Sequence, residues 1–278
     1  MRWQQSRRSG NVVDVRRGRG GRAAGLGIGG LIIVLIGLLF GVDTSGIAAL
    51  LGEGGAPVPA EATAPPQDEA GDFVAAVLGD TEDVWHRLFR EAGATYPEPR
   101  LVLFDGTVRS ACGMASAATG PFYCPADRQL YLDLSFFREL ARMGAPGEFA
   151  AAYVIAHEVG HHVQNVEGTL AAVQRAQRQL PRADANALSV RTELQADCYA
   201  GVWGYHARQR GLLEPGDVEA GMRAAAAVGD DRLQQSAGRV ATPETFTHGS
   251  SAQRVAAFRT GLESGRPGAC DTFGDLRR

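Results

Sequence analysis

The pentapeptide His157-Glu158-Val159-Gly160-His161 lies at the end of an apolar run that extends from Phe149 to Ala156. An apolar run of this kind without proline predicts a buried helix. Residues four apart lie on one face of a helix, so the two histidine rings would stand one turn apart. Burying two imidazoles and a carboxylate beside a core is costly unless these groups find partners. A metal ion is such a partner, and the fold must then bring a further ligand to this helix.

The spacing H-E-x-x-H has a defined chemistry when it lies on a helix. His157 and His161 would bind one Zn²⁺ per chain. Glu158, turned by about 100° on the helix, would act as general base on a water molecule beside the metal. The alternative is a surface cluster of these side chains without a metal, and the apolar run that leads into the motif argues against it.

A catalytic zinc site needs a third protein ligand. Glu167 lies close in sequence, but Gln164 stands where a glycine would let the chain turn back to the metal. Glu193 is the better candidate, because residues 183–210 lack proline and predict a second helix. On that helix Asp197 shares a face with Glu193 and would hold a ligand histidine in one tautomer. The alternative, an acidic pair on a solvated helix face, conflicts with the apolar residues around it.

The ordered segments that carry a family resemblance extend from residue 1 almost to the C-terminus: Met1–Trp3, Cys124–Asp127, Tyr131–Phe137, His157–Gln164, Glu193–Cys198, Gly229–Gln234 and Thr247–Arg254. H-E-x-x-H followed by E-x-x-x-D resembles the gluzincins, the thermolysin-like zinc peptidases. The whole ordered set is more similar to the bacterial family of "putative neutral zinc metallopeptidases". The resemblance implies a zinc peptidase but no particular substrate.

A further candidate lies in the loop-like stretch Phe246–Ser251, before a predicted helix at Ala252–Leu262. Its motif is similar to a histidine-containing element of membrane-anchored gluzincins. On that resemblance, His248 would be catalytic and donate a hydrogen bond to the oxyanion that forms when water attacks an amide. Arg254 would do the same or hold His248 in place. The alternative is that His248 caps the following helix and that Arg254 lies on its surface.

The N-terminal part of the chain predicts a membrane anchor. Residues 1–22 are rich in arginine, and residues 23–42 are uncharged and long enough to span a bilayer as one transmembrane helix. Residues 43–71, rich in Gly, Ala and Pro, predict a linker, and residues 72–278 predict a domain with its own core. By the positive-inside rule, we expect an uncleaved single-pass anchor, a cytoplasmic N-terminus and a catalytic domain outside the cytoplasm.

The four cysteines fit an exported protein. Cys112 and Cys124 flank a Gly/Ala-rich stretch and could close a short loop. Cys198 and Cys270 would then tie the C-terminal segment to the helix that carries Glu193. Four cysteines allow three connectivities, so the other pairings stay open. Metal binding by the cysteines is disfavoured, because C-x-x-C spacing is absent.

The remaining pattern predicts an α+β fold, a mainly helical zincin-like domain with a small antiparallel or mixed sheet. We expect a helix at residues 72–93 and strands at Leu101–Phe104 and Gln129–Leu134, with Phe122–Cys124 between them. One edge strand of the sheet would bind a peptide in extended form. The net charge of −3 gives no reason to expect nucleic acid as a partner.

Together these observations favour a membrane-anchored zinc metallopeptidase that hydrolyses a peptide or protein substrate. Two alternatives stay open. One is a zinc-stabilised, exported binding or scaffold protein with little or no hydrolytic activity, and the other is a zinc hydrolase that acts on a non-peptide amide. Glu158 favours an enzyme, because a structural zinc site closes its fourth position and needs no base. The sequence specifies neither the cleavage preference nor the oligomeric state.

Overall fold

The computed structural model describes residues 1–16, 66 and 68–273. Over these residues the fold is α+β and mainly helical, as the sequence predicts. The helices are α1 (Glu69–Glu91), α2 (Ser135–Arg142), α3 (Glu148–Val166), α4 (Thr169–Gln177), α5 (Arg182–Gln209), α6 (Asp217–Ala227), α7 (Asp230–Ser236) and α8 (Ser251–Ser264). Short 3-10 helices occupy Trp3–Gln5, Ala117–Thr119, Pro243–Thr245 and Pro267–Cys270.

Among the described residues, the strands form a mixed four-stranded sheet and a separate hairpin. They are β1 (Val12–Asp14), β2 (Arg100–Phe104), β3 (Thr107–Ser110), β4 (Gly113–Ser116), β5 (Phe122–Cys124) and β6 (Gln129–Asp133). The sheet has the order β1-β2-β6-β5, in which β1, β2 and β6 are parallel and β5 is antiparallel to β6. Because side chains alternate along a strand, Leu101 and Leu103 join the helical core, whereas Val102 and Phe104 pack on the opposite face.

The N-terminal residues are part of this folded unit. The sequence predicts that residues 1–22 form a separate tail, whereas the structure pairs β1 with β2 inside the sheet. Trp3 is 4% exposed, and its indole Nε1 donates a hydrogen bond to Glu148 at the start of α3, at 3.0 Å. The folded domain therefore includes residues 1–16 and does not begin at residue 72.

The two helices that carry the predicted metal ligands cross at close range. A Cβ atom on Gly160 of α3 would lie 2.9 Å from the carbonyl oxygen of Ala196 in α5. A Cβ atom on Gly201 of α5 would lie 2.1 Å from the carbonyl oxygen of Phe258 in α8. Glycine at both crossings lets the helix backbones approach one another, and this places α3, α5 and α8 side by side.

Both expected disulfides are present. Cys112 in the turn between β3 and β4 is bonded to Cys124 of β5. Cys198 of α5 is bonded to Cys270 at the end of the last 3-10 helix. The second bond therefore ties the C-terminal segment to the helix of Glu193, as the sequence predicts.

The predicted membrane segment falls outside the described residues. Residues 17–22, the predicted transmembrane helix at 23–42 and most of the predicted linker belong to this part of the chain. In the part that the structure describes, no helix has both the length and the apolar character needed to cross a bilayer. The linker ends earlier than residue 71, because α1 begins at Glu69, and the Asp68 side chain caps it by accepting a hydrogen bond from the Gly71 amide at 2.8 Å.

Candidate metal centre

Two histidines of α3 and a glutamate of α5 converge on one point. Glu193 Oε2 lies 3.2 Å from His157 Nε2, and Glu193 Oε1 lies 3.4 Å from His161 Nε2. One ligand atom from each residue lies within 4.8 Å of the other two. The side chains are at most 18% exposed. The structure thus brings together the three side chains that the sequence predicts as metal ligands.

The spacing and chemistry of these donors fit zinc. Ligand atoms of a tetrahedral site with bonds of 2.0–2.1 Å lie about 3.4 Å apart. The two separations between Glu193 and the histidines, 3.2 and 3.4 Å, agree with this value. Two imidazole nitrogens and one carboxylate are also the donor set of a catalytic zinc site that keeps its fourth position open. The three residues therefore match the donor set of a catalytic zinc site.

A group of buried polar side chains orients His157. Asp197 Oδ1 lies 2.9 Å from His157 Nδ1, which directs the opposite ring nitrogen towards Glu193. Arg254 donates hydrogen bonds of 2.8 and 2.9 Å to the two oxygens of the Asp197 carboxylate, and the Tyr153 hydroxyl donates another. Asp197, Arg254 and Tyr153, which are at most 3% exposed, are called the charged cluster below.

The charged cluster shifts the pKa values of its neighbours. Burial alone would raise the pKa of Asp197, but Arg254 and His157 outweigh burial and lower it to about 2. Burial would likewise lower the pKa of His157, yet the carboxylates of Asp197 and Glu193 raise it to about 10. A metal ion must compete with the proton on this ring, so we expect zinc binding to weaken as the pH falls.

His161 has a neutral partner instead. Its Nδ1 lies 2.9 Å from Oε1 of Gln164, one turn further along α3. Gln164 is completely buried. Both histidine rings thus use Nδ1 for a protein contact and present Nε2 to Glu193, but only one of them is oriented by a charged side chain.

Glu158 lies between the metal ligands and the sheet. It is 8% exposed, and burial raises the pKa of its carboxyl group although the two histidines act in the opposite direction. A cavity of about 10 Å³ beside it is also lined by Pro121, Leu130 and Tyr131. The other residues that line it are apolar side chains of β2, β6 and α3. A carboxylate with a raised pKa at such a position is suited to accept and return a proton.

His248 is held near the metal ligands by an acid that the sequence did not single out. Asp230 Oδ2 accepts hydrogen bonds from the backbone amides of Thr247, His248 and Gly249 at 2.6–3.0 Å. Asp230 Oδ1 lies 3.3 Å from His248 Nδ1. Burial would lower the pKa of His248, but the carboxylates of Asp230 and Glu193 outweigh burial and raise it above that of a free histidine.

Two alternatives drawn from the sequence are not realised. Glu167 lies at the C-terminal end of α3, where it accepts a hydrogen bond from the Tyr199 hydroxyl at 2.8 Å, and it is not part of the metal-ligand group. Arg254 is not a surface residue of α8, since it is 3% exposed and its hydrogen bonds go to Asp197, Tyr153 and the Val228 carbonyl.

Sequence reasoning missed Tyr153, Gln164 and Asp230. Helical spacing could have found the first two, because Tyr153 lies four residues before His157 and Gln164 lies three residues after His161. Asp230 carries a weaker signal, an acid at the start of a short helix. Its contact with the loop before α8 depends on how the helices pack.

A family model described as "putative neutral zinc metallopeptidase" matches residues 1–273. The chain belongs to this family. The matched residues include β1 as well as the candidate metal ligands on α3 and α5.

Other proteins resemble this family member along much of the chain. The Escherichia coli K12 protein named "Uncharacterized protein YpfJ" is 47% identical over 290 residues, which cover 99% of this chain and 99% of that protein. The Mycobacterium tuberculosis H37Rv protein named "Uncharacterized protein Rv2575" is 45% identical over 212 residues, 72% of this chain and 69% of that protein. No solved structure matches the chain. The family description implies zinc and peptide hydrolysis, and the names of the relatives add no substrate.

Proposed function

We propose that this protein is a zinc-dependent metallopeptidase in which His157, His161 and Glu193 hold one Zn²⁺. The observation that carries the proposal is the convergence of these side chains beside the buried carboxylate of Glu158. A structural zinc site would close its fourth position with another ligand and would need no base. The family match supports the same class of reaction.

In amide hydrolysis, Glu158, His248 and Asp230 would have different roles beside the metal ion. Bound Zn²⁺ supplies a Lewis acid that lowers the pKa of water towards about 7. Glu158 would accept the proton of the attacking water and return it to the leaving amine. His248 would donate a hydrogen bond to the developing oxyanion, and Asp230 would keep the His248 ring protonated and in position.

The substrate class that we propose is an extended peptide bound along β5. The sheet has two edges, β1 and β5. β5 is the edge next to α3, since Asn165 of α3 donates a hydrogen bond to the Tyr123 hydroxyl at 2.8 Å. Pro121, which precedes β5, lines the same cavity as Glu158. A peptide added to this edge by main-chain hydrogen bonds would run beside the metal ligands.

The test is a paired measurement of zinc content and casein cleavage on the full chain. We expect one zinc per chain and cleavage in the unaltered protein. Glu158→Gln should keep the zinc and lose cleavage, because it removes only the base. His248→Gln should also keep the zinc and lower kcat by about 100-fold, the typical effect of losing one oxyanion donor.

Glu219→Gln is the matched control, because it removes a carboxylate from an exposed position on α6. It should leave both measurements unchanged. Absence of zinc from the unaltered chain would overturn the proposal. Bound zinc with equal cleavage by the unaltered and Glu158→Gln forms would overturn the role of Glu158, and bound zinc without cleavage of any peptide would favour a scaffold.

We further propose that the domain is exported and attached to a membrane through residues 23–42. The uncharged sequence of that segment and the two disulfides support this location. The pairing of β1 with β2 limits the topology, because a single crossing would put residues 1–16 and the domain on opposite sides. We therefore depart from the single-pass arrangement expected from the sequence and propose attachment from one side.

Labelling with a membrane-impermeant maleimide tests this arrangement in intact cells. Gln5→Cys and Arg142→Cys introduce thiols at exposed positions in the N-terminal segment and in the domain. Both thiols should be labelled from outside the cytoplasm. Labelling of Arg142→Cys alone would restore the single-pass topology, and labelling of neither would contradict export.

A further inference from the structure

The partner of His161 is the first member of a chain of buried amide groups. Gln164 Nε2 donates hydrogen bonds to the Thr192 carbonyl at 2.7 Å and to Gln195 Oε1 at 3.0 Å. Gln195 Nε2 in turn donates to the Cys270 carbonyl at 3.2 Å. Gln164 is 0% exposed and Gln195 is 4% exposed. Gln164 and Gln195, with the carbonyls that they bind, are called the amide relay.

The relay has a fixed direction because it ends on backbone carbonyls. A carbonyl oxygen can only accept, so the NH₂ group of each glutamine must face the Thr192 or Cys270 carbonyl. Gln164 therefore turns its Oε1 towards His161, and the only hydrogen bond that can form there is donated by Nδ1–H of the ring. The relay thus selects the tautomer in which His161 Nε2 has a free lone pair, and this nitrogen faces Glu193.

The far end of the relay is held by a disulfide. Cys270 is 2% exposed and is bonded to Cys198, on the same helix as Gln195. The residues after it also contact α5, since the Arg191 guanidinium donates a hydrogen bond to the Thr272 carbonyl at 2.7 Å and the Thr272 hydroxyl donates one to the Arg191 carbonyl at 2.9 Å. The disulfide adds a covalent bond between α5 and the residue whose carbonyl orients Gln195.

We propose that Gln164 and Gln195 are positioning residues that hold His161 in its metal-binding tautomer, and that the Cys198–Cys270 disulfide fixes the relay at its far end. The inference rests on the proposed function, because it takes His161 as a zinc ligand. It adds to that function two glutamines and a dependence of zinc retention on an oxidised disulfide.

The experiment measures the rate at which a chelator removes zinc from the full chain. Gln164→Met replaces the amide by an apolar chain of similar length. It should weaken zinc binding by about 10–100-fold, the usual effect of removing a group that orients a ligand, and the chelator should therefore remove zinc faster. Gln195→Met should have a smaller effect in the same direction, because the Thr192 carbonyl still orients Gln164. The double variant Cys198→Ala/Cys270→Ala should also release zinc faster.

Each variant has a matched control elsewhere in the fold. Gln177→Met removes an amide that donates to the Ala185 carbonyl and the Ser189 hydroxyl, away from the metal ligands. Cys112→Ala/Cys124→Ala removes the other disulfide. Both controls should release zinc at the rate of the unaltered chain. In the zinc-free protein, where no metal fixes the tautomer, nitrogen-15 shifts should assign the hydrogen of the neutral His161 ring to Nδ1.

The outcomes separate the relay from the proposed function. Zinc release from Gln164→Met at the rate of the unaltered chain, or a hydrogen on His161 Nε2, would overturn the relay while the zinc site stands. Equal release from both double cysteine variants would overturn the role of the disulfide. Absence of zinc from the unaltered chain would overturn the proposed function and the relay together. Circular dichroism of each variant tests whether a change in zinc release comes from unfolding.

Discussion

His157 and His161 are both candidate metal ligands, but side chains of different charge orient their rings. His157 is oriented by the charged cluster, in which a carboxylate is compensated by a guanidinium. His161 is oriented by the amide relay, which contains no ionisable side chain. A carboxylate makes a ligand ring more basic, but it also brings a second buried charge that must be paired. We infer that in the proposed zinc site Asp197 would make the His157 ring a more basic ligand. Gln164 would orient the His161 ring without adding a buried charge.

The largest expected effect on stability comes from removing the carboxylate of the charged cluster. Asp197→Ala leaves Arg254 buried without its carboxylate, and removal of one partner of such a pair typically costs about 3–5 kcal/mol. Gln164→Met should cost less, about 1–3 kcal/mol, because it leaves only neutral groups unsatisfied. Urea unfolding of the metal-free chain measures both values. The double variant Asp197→Ala/Arg254→Met should regain much of the loss, and equal costs for the two single variants would refute the comparison.

As the pH falls, the neutral His162 ring and the ionised Asp197 carboxylate should take up protons in different pH ranges. Burial lowers the pKa of His162, the third histidine of this turn, to about 4, and its ring contacts the Pro97 carbonyl and the Tyr123 hydroxyl. An unfolded histidine takes up its proton near pH 6.5. The unfolded state therefore binds more protons between these values, and stability should fall by on the order of 3 kcal/mol as the pH drops from about 6.5 to about 4.

Asp197 should respond only in stronger acid. Its pKa is lowered to about 2, so the stability that it contributes is present above its unfolded pKa near 3.9 and is lost as the pH falls through about 2. Unfolding of the metal-free protein as a function of pH measures both steps. His162→Gln should flatten the first step and leave the second in place, and an unchanged first step would show that another group causes it.

The smallest expected effect measures how much the Tyr153 hydroxyl contributes to holding the Asp197 carboxylate. Tyr153→Phe removes one donor to Asp197 and keeps the buried ring. Asp197 retains His157 and Arg254, so the loss should be about 1 kcal/mol, the usual net value of one hydrogen bond. Thermal unfolding measures it. A loss as large as that of Asp197→Ala would mean that the hydroxyl, and not Arg254, holds the carboxylate.

The regular elements of the metal centre could be predicted because their patterns are local. Helices α3, α5 and α8 and strands β2 and β6 all follow apolar runs or helical periodicity, and their predicted bounds lie within a few residues of the observed ones. The positions of the three candidate ligands and of the candidate base Glu158 follow from helical spacing and a sequence motif, and the structure brings the three candidate ligands together. Asp230 and Gln195 could not be predicted in this way, because their partners are distant in sequence. Asp230 binds the backbone amides of the loop before α8, and Gln195 binds Gln164 and the Cys270 carbonyl.

The N-terminal strand shows a different limit. An arginine-rich segment with only two adjacent valines at 12 and 13 is typical of a charged tail, not of a strand. Within the described residues 1–16, two of its arginines bind carboxylates on α1, since Arg7 lies 2.7 Å from Glu82 and Arg8 lies 2.6 Å from Asp72. The charges that favoured a solvated tail thus form ion pairs with the first helix, beside the strand pairing of β1 and the buried Trp3.

The position of β1 has a consequence for how the domain is made. The strand is synthesised before every other element of the sheet, yet its partner β2 follows only after the apolar segment, the linker and α1. Pairing between strands so distant in sequence requires the closure of a long loop, and this slows folding relative to local contacts. Until that closure, the outer edge of β2 is open to other strands. Both ends of this loop must therefore reach the same place before β1 can cover the edge of β2 and protect the sheet from aggregation.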